Sequence, residues 1–133
     1  MRIAVSASSG GLDATVDPRF GRCPYFVIVD TETMHSEVVP NESGNMAHGA
    51  GIQAAQTVVG QGVQVVLTGN IGPNAYQALS AAGIKIVTGV TGTVREAIMR
   101  YKKGELKETS SPNVGGHFGV GRGRGTGRGR RWS

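Results

Sequence analysis

The stretch Val63–Thr88, VQVVLTGNIGPNAYQALSAAGIKIVT, decides the fold. Val63–Thr68 is a short, β-branched apolar run bounded by turn residues, which reads as a buried strand. Gly69-Asn-Ile-Gly72 is a turn. Pro73 sits where the first turn of a helix tolerates proline, so a helix runs from there to about Ala82. Gly83 stops it, and Ile84–Thr88 is a second strand. A strand, a short helix and a strand in this order imply a right-handed crossover and parallel pairing.

Working toward the C-terminus, Thr93-Val-Arg-Glu96 matches a capping box, in which the threonine hydroxyl and the glutamate carboxylate bond each other's backbone amides. The helix it opens turns Val94, Ala97, Ile98 and Tyr101 inward and stops at Gly104. Working toward the N-terminus, a helix over about 52–60 places Ile52, Ala55, Val58 and Val59 on one face. Before it lie a glycine-rich loop at 41–51 and three strand signals, Arg2–Ser8, Tyr25–Thr31 and Ser36–Pro40. Pro40 cannot donate to a ladder and predicts an edge strand. The expected architecture is α/β, a mixed five-stranded sheet with one antiparallel strand and helices packed on it.

Charge divides the chain in two. It has 133 residues, with 14 Lys and Arg against 9 Asp and Glu. Arg122, Arg124, Arg128, Arg130 and Arg131 all lie in the last dozen positions, and no acid follows Glu108. Residues 1–111 therefore carry nine of each sign, which excludes a basic nucleic-acid-binding body. Residues 115–133 are Gly and Arg with almost nothing to bury, and are expected to be disordered. The expected division is a folded domain at 1–110 and a tail at 111–133.

One cysteine, Cys23, excludes an intrachain disulfide and a four-cysteine metal site within one chain. No apolar run reaches the roughly 18 residues that span a bilayer. The first residues are too short in apolar length for a signal peptide, so a cytoplasmic protein without a membrane partner is expected.

Phe20-Gly-Arg-Cys-Pro-Tyr-Phe26, His48-Gly-Ala-Gly51, Val65-Val-Leu-Thr-Gly-Asn-Ile-Gly72 and Gly92-Thr-Val94, in this order, resemble the dinitrogenase iron–molybdenum cofactor biosynthesis domain family. The resemblance covers residues 1 to about 108. It implies a ribonuclease-H-like mixed sheet. It also implies a role in binding, carrying or inserting an iron–molybdenum cofactor or its iron–sulfur precursor. The Gly/Arg tail lies outside it.

The residues support parts of that chemistry. Strands 2–8, 63–68 and 84–88 contain no acid, and Asp13, Asp17 and Asp30 read as solvated loop or cap residues, so two-metal nuclease chemistry is not expected. Arg19 and Arg22 flank Cys23 in sequence and would favour its thiolate, the metal-binding form. The alternative is a small buried thiol. His48 opens a helix in a glycine-rich loop, where an imidazole can meet a metal or bond the backbone. Met46 nearby is a weak soft donor. His35 and His117 are expected to be exposed.

Loops at the carboxyl edge of an α/β sheet gather around one cleft. The amides of Gly49, Gly51, Gly69, Gly72 and Thr93 would then face an anionic ligand, unless these glycines only make turns. The sequence lacks GxxxxGK[ST], and Gly49-Ala-Gly51 lacks the rest of a dinucleotide fingerprint.

The expected function is a non-catalytic carrier of an iron–sulfur or iron–molybdenum species. Cys23 and His48 would be its metal ligands, Arg22 and the loop amides would help, and a cluster-donor or acceptor protein would be its partner. The alternatives are a ribonucleoprotein accessory acting through weak RNA contact by the tail, an acidic-partner docking tail, or a regulatory domain for an anionic metabolite.

Overall fold

The computed structural model describes residues 1–45, 49–109 and 111–112. The strands are β1 (Arg2–Ala7), β2 (Tyr25–Asp30), β3 (Ser36–Pro40), β4 (Val65–Leu67) and β5 (Lys85–Val87). The helices are α1 (Ala50–Gly60), α2 (Pro73–Ala81) and α3 (Val94–Lys102). A short 3-10 turn, Glu42–Asn45, lies in the stretch expected to be loop.

The sheet order is β3-β2-β1-β4-β5. β2 runs antiparallel to both neighbours, while β1, β4 and β5 pair in parallel. The single reversed strand expected from sequence is therefore β2, and Pro40 does sit in an edge strand. β1 is central and buried on both faces, which is why RIAVSA lacks a polar alternation.

Two apolar layers cover the sheet. On one face, α1 and α2 bring Ala54, Ala55, Val58, Ala75 and Leu79 against Ala4, Phe26, Ile28, Val66 and Ile86. On the other, α3 brings Val94, Ala97 and Ile98 against Ile3, Val5, Val27, Val29 and Leu67. The inward face expected for α1 needs correcting. Ala50, Ala54, Ala55 and Val58 are buried, whereas Ile52 and Val59 are each 40% exposed. The helix lies so close to α2 that a Cβ on Gly51 would stand 3.3 Å from the Ala75 Cβ. Small residues make that approach, and the larger ones turn outward.

After α3 the chain returns along β5. Leu106 packs on the α3 layer. Thr109 donates its amide to the Ile86 carbonyl at 2.6 Å, and its hydroxyl accepts from the Thr88 amide at 2.9 Å. The Tyr76 hydroxyl donates to the Thr109 carbonyl at 3.3 Å.

Candidate functional site

Three segments meet at the carboxyl edge of the parallel strands. The first is the loop from Asp17 to Gly21, the second is the start of α1, and the third is the turn from β4 into α2. A pair of close backbone approaches locks them together. A Cβ on Gly69 would lie 2.6 Å from the Pro18 Cα, and one on Gly21 would lie 3.1 Å from the Gly51 Cα. Asn70 donates its amide to the Pro18 carbonyl at 2.7 Å, and Phe20 returns its amide to the Asn70 carbonyl at 3.2 Å.

Asp17 braces the loop. It is 4% exposed. Its carboxylate accepts from the Arg19 amide at 2.9 Å, from Nε at 3.1 Å and from Nη2 at 3.1 Å. The Ser8 hydroxyl adds a longer contact at 3.3 Å. Burial opposes ionisation of Asp17, but the hydrogen bonds and charge of Arg19 outweigh it and hold the carboxyl below its ordinary value. Asp17 is thus a buried, paired group and not the solvated loop acid expected from sequence. The Ser6 hydroxyl, bonded to the Asp17 carbonyl and to Thr68 Oγ1 at 2.7 Å each, ties the loop to β1 and the end of β4.

The space between them is an open cavity of about 380 Å³. Arg19, Phe20, Gly21, Ile52, Asn70 and Ile71 line it, together with the starts of both helices, Gly49, Gly51 and Gly72–Ala75. Its walls are mainly apolar. The N-cap positions of α1 and α2 are Gly49 and Gly72, neither of which offers a side-chain cap. The first turns of two helices therefore border one hollow, where the helix dipoles favour negative charge, although Pro73 leaves α2 one amide donor short.

The expected site residues divide accordingly. Gly49, Gly51 and Gly72 do come together here. Gly69 does not line the cavity; its bare face is the packing surface for Pro18. Thr93 opens α3 on the opposite layer, where its hydroxyl accepts from the Glu96 amide and its own amide donates to Glu96 Oε1. There it forms a completed capping box. Arg22 is exposed and does not line the cavity. His48 and Met46 lie outside the described residues, as do residues 113–133 and the expectations placed on them. Among the described residues, no three His, Cys, Asp or Glu side chains gather as a metal site.

Cys23 lies in the core. Its side chain has no exposure and belongs to the α1–α2 core with Phe20, Phe26 and Ala54. Sγ–H donates to the Phe20 carbonyl at 3.3 Å, and Asn41 Nδ2 bonds the Cys23 carbonyl at 2.8 Å. Burial pushes the thiol up to about 12, against a smaller opposing effect of Asn41. The Arg19 guanidinium is bound by Asp17 and favours the thiolate only through space, an effect that burial of the thiol outweighs. Cys23 is a packing thiol. Sequence reasoning also missed Phe20, Ile52 and Asn70 as lining residues. The Asp17-x-Arg19 spacing, which suits a local ion pair closing a loop, was the available signal.

A family model described as dinitrogenase iron–molybdenum cofactor matches residues 1–104. An uncharacterized protein of Methanocaldococcus jannaschii is 32% identical over 111 residues, covering 81% of this chain and 91% of that one. The structure of the apo form of the orange protein from Desulfovibrio gigas is similar, with a TM-score of 0.83 and 50% identity over 84% of this chain and 95% of that one. A NifB-like Thermotoga protein of the DUF35 family has a TM-score of 0.71 and 40% identity, covering 80% of this chain and 91% of its own. No helix among the described residues is long and apolar enough to cross a membrane.

Proposed function

The chain belongs to the dinitrogenase iron–molybdenum cofactor family, and from that premise we propose that it is a non-catalytic carrier of an anionic metal–sulfur cluster. The cargo, an iron–sulfur or iron–molybdenum species, sits in the cavity between the 17–21 loop and the starts of α1 and α2. It passes between a donor and an acceptor protein. The observation that supports this reading is the pair of helix starts without side-chain caps opening onto one apolar hollow. α3, which faces elsewhere, has its amides closed by Thr93 and Glu96.

The donor set suits a cargo that arrives with its own sulfide ligands. Apolar walls formed by Phe20, Ile52 and Ile71 accept a soft, weakly hydrated sulfide surface. Backbone amides and Arg19 meet its negative charge without forming a metal–ligand bond, so the cargo remains releasable. His48, one position before the lining Gly49, is the remaining candidate for a direct ligand. A neighbour named for its colour and described in an apo form supports a removable coloured group. The strand order, with β2 reversed, supports reading the sheet as ribonuclease-H-like. Residues 1–110 form the carrier unit in this reading.

The test is anaerobic equilibrium dialysis against tetrathiomolybdate, a coloured sulfide-ligated anion. The expected result is binding that Ile52→Asp weakens at least about tenfold, because a carboxylate then faces the cargo from an exposed position that folding does not depend on. Affinity unchanged by Ile52→Asp would remove the cavity from the reading.

A further inference from the structure

The pairing of Asp17 with Arg19 is lopsided. The Arg19 side chain is 61% exposed, while its carboxylate partner is buried. In the other ion pairs among the described residues the acid is half exposed or more. Burying a carboxylate costs free energy, and an exposed arginine does not need a buried partner in order to fold. The path of the 17–21 loop does not need the guanidinium either. Its backbone is already held by the bonds that link Asn70 with Pro18 and Phe20, by the Asp17 amide on the Ser6 carbonyl at 2.8 Å, and by the Ser6 hydroxyl on the Asp17 carbonyl.

What the pair does fix is the guanidinium. A surface arginine ordinarily samples many rotamers. Here the Arg19 amide, Nε and Nη2 all donate to one carboxylate, and the Arg19 carbonyl accepts from the Cys23 amide at 3.0 Å. Arg19 also pairs with Asn70 in an isolated parallel β-bridge. Both of these residues line the cavity, whereas Asp17 does not. The carboxylate occupies the guanidinium edge formed by Nε and Nη2. Among the described residues, the other edge, Nη1 with the second N–H of Nη2, is the one left to a ligand.

We infer that Arg19 is the residue that grips the anionic cargo, and that buried Asp17 is a positioning residue, which aims the guanidinium and acts only through it. The inference rests on the cavity reading above. It also narrows the cargo. Two parallel N–H groups suit an anion with two neighbouring acceptor atoms at its rim. The Asp17–Arg19 pair carries no net charge, so the grip is one of directed hydrogen bonds at contact and not of long-range attraction.

The experiment is dialysis against tetrathiomolybdate, with the melting temperature as the control for folding. It compares the parent with Asp17→Asn, Arg19→Gln, Arg19→Lys and the double variant Asp17→Asn, Arg19→Gln. Asparagine keeps an oxygen for the Arg19 amide but turns an N–H toward Nη2. The sign of its effect discriminates. Deleting a negative charge near an anionic cargo tightens binding if charge alone matters. Releasing the guanidinium from its brace weakens binding, and a loss of about fivefold is expected. Arg19→Gln is expected to weaken binding about tenfold, and Arg19→Lys about fivefold, because the charge stays but the fork is lost. In the Arg19→Gln background, Asp17→Asn is expected to change affinity no further.

Tighter or unchanged binding by Asp17→Asn overturns the positioning role. A loss that persists in the Arg19→Gln background also overturns it, since Asp17 would then act through the fold. Parental affinity in Arg19→Gln or Arg19→Lys overturns the grip. That side chain is exposed, so this arm decides the matter even if Asp17→Asn does not fold. In each of these cases the cavity stands as long as Ile52→Asp weakens binding. Absence of binding by the parent overturns the cavity and the grip together.

Discussion

Replacing Cys23 with alanine separates a packing thiol from a metal ligand, because the two roles predict different readouts. The side chain is fully buried among Phe20, Phe26 and Ala54, so truncation removes one apolar heavy atom from the core at about 0.8 kcal/mol. The void it leaves, about 20 Å³, costs a further ~0.5 kcal/mol if the surroundings do not collapse. The weak Sγ–H bond to the Phe20 carbonyl contributes about another 0.5 kcal/mol at most. Cys23→Ala is therefore expected to lose about 1.5–2 kcal/mol, seen as a melting temperature lower by about 5–8 °C. Its tetrathiomolybdate affinity is expected to match that of the parent. The native thiol should also resist an aromatic disulfide reagent at pH 7, because burial both raises its pKa and hides it from solvent. It should react stoichiometrically once the chain is unfolded in denaturant. A variant that kept its melting temperature but lost probe binding would refute the packing assignment.

Three further perturbations read other parts of the structure. Thr93→Ala breaks the capping box of α3 and should cost about 1 kcal/mol in urea unfolding with no change in probe affinity, because α3 lies on the layer away from the cavity; weakened binding would place Thr93 back in the site. Gly69→Ala drives a Cβ to within 2.6 Å of the Pro18 backbone, where nothing flexible can yield. It should cost about 1–3 kcal/mol and loosen the 17–21 loop, so that probe affinity falls as well. Asp17→Asn keeps the volume but loses the ion pair with the exposed Arg19, and should be slightly less stable than the parent at pH 7. Because the folded carboxyl titrates below its ordinary 3.8, the parent's advantage is complete above that value and disappears as pH falls through the lower, folded one. A parent–variant difference that persisted at the acid end would show that the charge is not what Asp17 contributes.

Much of the fold was legible because local signals agreed with the tertiary outcome. Val63–Thr88 declared a strand, helix and strand through its β-branched runs, Pro73 and Gly83. Thr93 and Glu96 declared the start of α3, and Pro40 declared an edge. The site was only partly legible. Gly49, Gly51 and Gly72 were found, since helix starts announce themselves in glycine-rich turns. Cys23 left two readings open in sequence, because sequence neighbours do not fix spatial ones. Arg19 is four residues away and binds Asp17, while the thiol turns into the core, where burial outweighs that charge. The exposure of Ile52 was missed because helical periodicity gives a face but not the side on which a second helix presses.

Sequence by itself determined the alternation of elements, the one reversed strand and the separation of a neutral body from a cationic tail, all of which follow from residue type and near-neighbour spacing. Tertiary structure alone decided which loops share a cavity, which helix starts are left without a side-chain cap there, and that the chain returns to the end of β5 at Thr109. Those outcomes depend on contacts between residues tens of positions apart, such as Pro18 with Gly69, Gly21 with Gly51 and Tyr76 with Thr109, and such contacts are fixed by packing the two layers on the sheet and not by any local preference.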